Sequence, residues 1–335
     1  MTALVETRHL TKHFALGPKQ TVHAVDDVSL TVAERETVGL VGESGSGKST
    51  FGKTLLGLHD KTNGEAYLKG EKLPDHYKPA DFQHYARYMQ MIFQDPYSSL
   101  NPRMTVGEII GEGLRLFDDQ SSRQIGDAVA DWLERVGLER DHAARYPHEF
   151  SGGQRQRVGI ARALIMQPEF VVCDEPISAL DVSVQAQVVR LLGELKDSLG
   201  LTMLFIAHDL SMVRYISDRM AVMYMGSIVE LGPADEVYFR HQHPYTQVLV
   251  SSNPEPDPRT ERMRKTVPIR GEITSPVNIG PGCRFASRCS KVMEICHTVT
   301  PQLKPIAGEA TDTTAGRHVA CHLFEPASSS TAGVV

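Results

Sequence analysis

The sequence has no uninterrupted apolar run approaching the ~18–20 residues that cross a bilayer. Its first residues, MTALVETRHLTKHF, interleave charges with apolar side chains and so lack the apolar core of a secretory leader. An excess of basic charge is missing too. The 35 Lys and Arg against 41 Asp and Glu give a net charge of −6, which argues against a broad nucleic-acid surface. There is no internal repeat, no sustained heptad pattern and no closely spaced cysteine pair. These absences predict an intracellular protein whose role at a membrane, if any, comes through a partner.

What is present is ordinary globular composition, 41% hydrophobic and 23% charged. At roughly 150 residues per domain, 335 residues suggest about two domains, or one domain with an appendage. Apolar runs at Glu36–Val41, Tyr88–Phe93, Phe170–Cys173, Thr202–Ala207 and Met220–Met225 read as strands. Helical stretches lie between several of them, at Asp127–Val136, Gln154–Met166 and Val184–Leu199. Buried strands alternating with helices predict an α/β domain with a largely parallel sheet. Val22–Val32 alternates polar and apolar residues and predicts antiparallel material near the start. Ser251–Arg264 carries three prolines and dense charge and reads as an exposed linker, its basic run Arg262–Lys265 as a solvated stretch. Beyond it lies a Pro/Gly/Cys-rich segment with no helical or strand period, and Ser328 to Val335 reads as a disordered tail.

Three motifs carry chemistry. Gly42-Glu-Ser44-Gly45-Ser-Gly47-Lys48-Ser49-Thr50 follows the apolar strand VGLV and matches G-x-x-x-x-G-K-[ST]. Its glycines let backbone N–H groups converge on phosphate oxygens, ahead of a helix whose positive end faces them. Lys48 is expected to meet the β- and γ-phosphates, and the Ser49 hydroxyl to ligate Mg²⁺. The strand Phe170-Val-Val-Cys173 ends in Asp174 and Glu175. An Asp delivered beside a phosphate loop suits a second Mg²⁺ contact, and the adjacent Glu suits a base that polarises water. Ser151-Gly152-Gly153-Gln154 opens a helix and is again an anion site by helix-terminus logic. One nucleotide does not need two such sites in one domain. Two chains arranged head to tail would each lend the second site to the other's γ-phosphate.

On these motifs the sequence resembles the ATPase subunit of an ABC transporter, over residues 1 to about 250. The resemblance implies an α/β fold of the ABC-type P-loop ATPase: a mixed sheet core, an antiparallel β subdomain and a helical subdomain. It places the glutamine loop on Gln94, the signature on Ser151–Gln154 and the D-loop on Ser178-Ala-Leu-Asp181. The switch histidine falls on His208, and an adenine-stacking aromatic on Phe14. Two ATP molecules would be sandwiched by two such subunits, identical or homologous, with Gln94 reaching Mg²⁺ and the attacking water. His208 would bond the γ-phosphate, and Asp181 would shape the dimer interface.

The stretches IFQDPYSSLNPRMTVGEII and SALDVSVQAQVV are similar to dipeptide/oligopeptide importer ATPases, and nickel and glutathione importers share them. The resemblance implies two transmembrane permeases, an extracytoplasmic substrate-binding protein and no nucleic acid as partners, at the cytoplasmic side of the membrane. The tail is similar to that group's C-terminal extension, a small irregular Cys-rich module. Its spacing is Cys283-x5-Cys289-x6-Cys296-x24-Cys321. Four thiolates can hold a [4Fe–4S] cluster or tetrahedral Zn²⁺, and so short a segment needs a staple. The missing close pairs favour the cluster, while His297, His318 and His322 keep zinc open, as are free thiols or partial disulfides. Cys173 reads as a small buried hydrophobe. The expected layout is an ATPase domain over 1–255, with its helical subdomain at about 95–165, then the extension over 256–327 and the tail over 328–335.

Overall fold

The computed structural model describes residues 2–117, 120–253, 267, 269, 271, 275–306 and 316–324. The linker read at Ser251–Arg264 lies outside the described residues beyond Asn253, as do the run Arg262–Lys265 and the tail from Ser328. Among the described residues no helix is long and apolar enough to cross a membrane.

The chain opens with two long strands, β1 (Ala3–Gly17) and β2 (Gln20–Ala33), then β3 (Thr37–Val41) and α1 (Lys48–Leu55). Next come β4 (Asn63–Leu68), β5 (Glu71–Lys72), α2 (Pro79–Tyr85) and β6 (Met89–Ile92). A helical insertion holds α3 (Pro96–Ser99), α4 (Val106–Phe117), α5 (Ser122–Arg135) and α6 (Gly152–Leu164). The chain then returns to the core through β7 (Phe170–Asp174), α7 (Val182–Leu199), β8 (Thr202–Ala207), α8 (Leu210–Ile216), β9 (Arg219–Tyr224) and β10 (Ser227–Pro233). It continues with α9 (Ala234–Phe239), α10 (Pro244–Ser252) and two short strands, β11 (Lys304–Pro305) and β12 (His318–Val319).

Among the described residues these strands form two sheets. The first is antiparallel, in the order β2-β1-β4-β5; the second runs β11-β12-β10-β9-β3-β8-β7-β6. Its centre is parallel: β3 lies between β8 and β9, and β7 lies between β8 and β6. Every residue of β3, β7 and β8 is buried, as expected of a sheet covered on both faces. The pleat divides them. Phe170, Val172, Leu204 and Ile206 pack toward α1 and the antiparallel sheet, whereas Val171, Cys173, Met203 and Phe205 pack toward the helical side.

Helix boundaries follow local chemistry. Ser151 caps α6 by accepting from the Gln154 N–H, while the Gln154 side chain accepts from the Ser151 N–H. Ser121 and Gln124 do the same at α5. Gly200, at φ 64°, ends α7 in the left-handed conformation. Strand ends differ from the sequence reading by one or two residues. Glu36 falls outside β3 because its side chain turns inward to the Ala33 N–H at 2.7 Å and to Arg219. The cysteine-rich segment, read as without period, nonetheless supplies β12, which pairs with β10 and extends the main sheet. Two residues are too short for any periodicity to register.

Glu36 and Arg219 form an ion pair of 2.9 Å, their side chains only 9% and 5% exposed. Arg219 also donates to the Thr31 carbonyl and so ties the end of β2 to β9. Its replacement by Met strands a buried carboxylate, at a cost of about 3 kcal/mol. R219M is therefore expected to unfold at clearly lower urea, followed by circular dichroism, and Glu36→Gln in the same chain should recover part of the loss.

Candidate functional site

The loop Gly42–Gly47 leaves β3 at the carboxyl edge of the parallel strands and enters α1 at Lys48. Gly47 is required by space as well as conformation. At φ 103°, a Cβ there would lie 1.9 Å from the Ala24 carbonyl oxygen of β2. Lys48 is 3% exposed and donates to the carbonyls of Gly42 and Glu43 at 2.9 and 3.0 Å. Burial pulls its pKa below the ordinary lysine value, against the opposing pull of Glu175, Asp174 and Glu43. The Ser49 hydroxyl donates to Asp174 Oδ1 at 2.6 Å, joining the first turn of α1 to the end of β7. Burial raises the Asp174 carboxyl, while the Ser49 bond and nearby Lys53 work in the other direction.

Glu175 is where the remaining polar groups converge. It follows β7 in a left-handed conformation, φ 44°, with its N–H donated to the Ile206 carbonyl at 2.9 Å. Its carboxylate accepts from Gln94 Nε2 at 2.9 Å and lies 3.9 Å from Lys48 Nζ and 4.0 Å from His208 Nδ1. Gln94 comes from beyond β6, His208 from beyond β8 and Lys48 from beyond β3, so with β7 four neighbouring strand ends supply the cluster. Such a set can hold a polyanion, coordinate a hard cation through oxygen, and activate a water.

Other residues singled out in the sequence lie apart from it. Ser151 sits exposed at the N-terminus of α6, with Gly153 against Val184 of α7. Asp181 is exposed at the N-terminus of α7. Among the described residues no hydrogen bond or ion pair joins Ser151–Gln154 or Asp181 to the phosphate loop. Phe14, half-buried on β1, meets the His59 ring edge-on at 5.5 Å, with Lys12 Nζ 4.7 Å over its own ring.

The groups that brace the loop come from residues that no motif marks. The Glu43 N–H donates to the Tyr245 hydroxyl of α10 at 2.8 Å, and its carboxylate takes both Nη atoms of Arg288, at 2.8 and 3.1 Å. Tyr245 is itself placed by a relay: buried Glu230 accepts from the His243 N–H, and His243 Nδ1 accepts from the Tyr245 N–H. Burial holds His243 neutral, its pKa pulled down to about 3. Arg284 pairs with Asp26, and Asn278 clasps Thr21 and Lys19, so the cysteine-bearing segment is strapped across the β1–β2 hairpin. Only the odd acidic residue inside a phosphate loop could have drawn attention to this region.

Cys283, Cys289, Cys296 and Cys321 line one enclosed cavity of about 10 Å³, along with His243 and His322. Burial pushes the thiols of Cys283 and Cys321 up to about 11, and the neighbouring cysteines push the same way. The Lys291 N–H donates to Cys289 Sγ at 3.3 Å. Of His297, His318 and His322, only His322 borders the cavity, with Nε2 at 2.9 Å from the Val299 carbonyl oxygen.

Comparison with known proteins accounts for both halves. The family profile described as ABC transporter matches residues 25–178, and that described as oligopeptide/dipeptide transporter, C-terminal region, matches residues 229–296. The oligopeptide transport ATP-binding protein OppF of Bacillus subtilis is 56% identical over 262 residues, 78% of this chain and 86% of the relative. OppF of Salmonella typhimurium is 49% identical over 310 residues, 90% and 92% of the two chains. A dimeric structure of the ATP-binding cassette MJ0796, bound to ADP and Pi, superposes with a TM-score of 0.63 at 28% identity, covering 69% of this chain and 98% of that one. The phosphate loop, the carboxylate pair and the extension thus have one origin: this chain belongs to the ATP-binding subunits of ABC transporters, in the group that carries the oligopeptide/dipeptide transporter C-terminal region.

Proposed function

We propose that the chain is the ATP-hydrolysing subunit that powers import of di- or oligopeptides, working in a head-to-tail pair with a second copy or a relative. One observation carries this reading. Lys48, Ser49, Asp174, Gln94 and His208 gather around Glu175, while Ser151–Gln154 has no link to them within the chain. A site so divided is complete only when the signature comes from another subunit. The relatives named oligopeptide transport ATP-binding proteins, and the matched C-terminal region, support peptides as the cargo.

In the proposed mechanism the triphosphate lies on the Gly42–Thr50 backbone, and Lys48 exchanges its two loop carbonyls for phosphate oxygens. Ser49, Asp174 and Gln94 would hold Mg²⁺ through oxygen, and the ion would offset phosphate charge. Glu175, already bonded to Gln94, accepts the hydrogen bond of the attacking water and aligns it with the γ-phosphorus. His208, 62% exposed and beside Glu175, is free to turn to the γ-phosphate. Catalysis is then mostly positioning and electrostatics. Because the triphosphate binds the closed pair better, ATP drives closure, and hydrolysis releases it. Permeases take up that motion at the cytoplasmic membrane face, opposite an extracytoplasmic binding protein. A groove of about 310 Å³ lined by Tyr85, Gln90, Glu112 and Arg162, next to the strand leading to Gln94, suits their contact.

The four cysteines border one cavity, with a backbone N–H donated to Cys289 Sγ, and their thiolates would be the ligands of a [4Fe–4S] cluster, which would staple the extension once the cavity opens to admit it. Zinc through histidine is less favoured, since His297 is exposed and His318 is buried in β12, its Nδ1 at 3.1 Å from the Gly316 carbonyl. Such a cluster would serve to hold the extension together.

Two measurements test these assignments. Glu175→Gln is expected to lower ATP turnover by at least about 100-fold while retaining ATP and trapping the pair, read by phosphate release and size-exclusion chromatography. Undiminished hydrolysis removes Glu175 from its role. Protein purified without oxygen is expected to be brown, with iron and acid-labile sulfide. A colourless preparation with stoichiometric zinc overturns the cluster.

A further inference from the structure

A carboxylate inside a loop built to hold a polyanion is electrostatically adverse. Glu43 is such a residue, one position into the phosphate loop, and its charge would repel a triphosphate lying on the following N–H groups. The structure shows what is done with it. Both carboxylate oxygens are taken by Arg288 in the parallel, two-pronged arrangement that guanidinium and carboxylate favour. Arg288 is 5% exposed and stands 5.9 Å from the rings of Tyr224 and Phe285, so its head group has little freedom to leave.

Arg288 does not belong to the nucleotide domain's strands or helices. It ends the short 3₁₀ turn Ala286–Arg288, immediately before Cys289. That turn is pinned by the bonds Ala286 N–H to Cys283 O at 3.0 Å and Arg288 N–H to Phe285 O at 3.0 Å. The residue that neutralises Glu43 is therefore delivered by the cysteine-bearing extension, from between two of its cysteines.

We infer that Arg288 is a positioning residue for nucleotide binding: through Glu43 it neutralises and fixes the phosphate loop, making a competent ATP site dependent on the folded C-terminal extension. The inference rests on the triphosphate lying on Gly42–Thr50. The loop is held from three directions at one residue. Tyr245 takes the Glu43 N–H, Lys48 donates to its carbonyl, and Arg288 takes its side chain. Of the three, only Arg288 comes from beyond Asn253. Without it, Glu43 regains a full charge beside the phosphates, and the loop loses its only ion pair to the tail among the described residues.

The experiment is a titration of the full-length chain with a fluorescent ADP analogue and Mg²⁺, at low and high salt. Arg288→Ala is expected to weaken binding by about five- to tenfold at low salt and less at high salt. Adding Glu43→Gln to Arg288→Ala should restore affinity to within about twofold of the parent. The rescue separates charge from folding, because a purely structural role for Arg288 would leave the double variant as weak as the single one. Wild-type affinity in Arg288→Ala, or no rescue in the double variant, overturns the inference. Lys48→Ala runs alongside: if it binds as well as the parent, the placement of the triphosphate itself fails, and this inference with it.

Discussion

Parallel pairing of β3, β8 and β7 is the constraint on which the site depends. Parallel strands in register end on the same rim, and here Val41 lies opposite Ala207 while Asp174 lies opposite Ile206. The phosphate loop leaves one end, His208 the next, and Asp174 with Glu175 the third. Gln94 completes the row from β6, itself parallel to β7. Groups 33 to 160 positions apart in sequence thus meet at the ends of adjacent strands. The Ser49–Asp174 hydrogen bond then locks α1 to the rim, fixing the helix end that faces the phosphates.

This explains which parts were legible in the sequence. A buried parallel strand must be apolar along its whole length, so β3, β7, β8 and β9 stood out as runs, and their ends marked the chemistry. Glycine, lysine and carboxylate at fixed offsets carry their roles in their spacing. Ser151–Gln154 was legible as a capped helix start, and it does open α6. Other features left no trace. β12 is two residues long, and β5 likewise, below any period. Arg288 looks like one arginine among several in an irregular tail, and only three-dimensional proximity shows that it answers Glu43 across 245 positions. Tyr245 likewise gives no sign in sequence that its hydroxyl serves a backbone N–H in the loop.

The extension is small, yet its contacts reach both the β1–β2 hairpin and the phosphate loop. Asn278 and Arg284 hold the hairpin, Arg288 holds the loop, and Phe285 packs its ring against Tyr224 and Tyr245 at 5.3 and 5.4 Å. Burial among aromatics and bidentate pairing make these braces stiff. The cysteines sit immediately around them, with Cys283 and Cys289 flanking Phe285, Ala286 and Arg288. The segment that braces the Gly42–Gly47 loop is thus the one that these cysteines bracket.

The pairing of β12 with β10 has a separate consequence. Without it, β10 would present a bare row of amide and carbonyl groups, a template onto which a foreign chain could zip. β12 pairs with Glu230 and Leu231 of that row, and the outermost position there passes to β11, which consists of Lys304 and Pro305. A proline cannot donate to a further ladder, and a lysine there would have to surrender its hydration. At these positions the C-terminal segment leaves the sheet an edge poorly suited to pairing with a further strand.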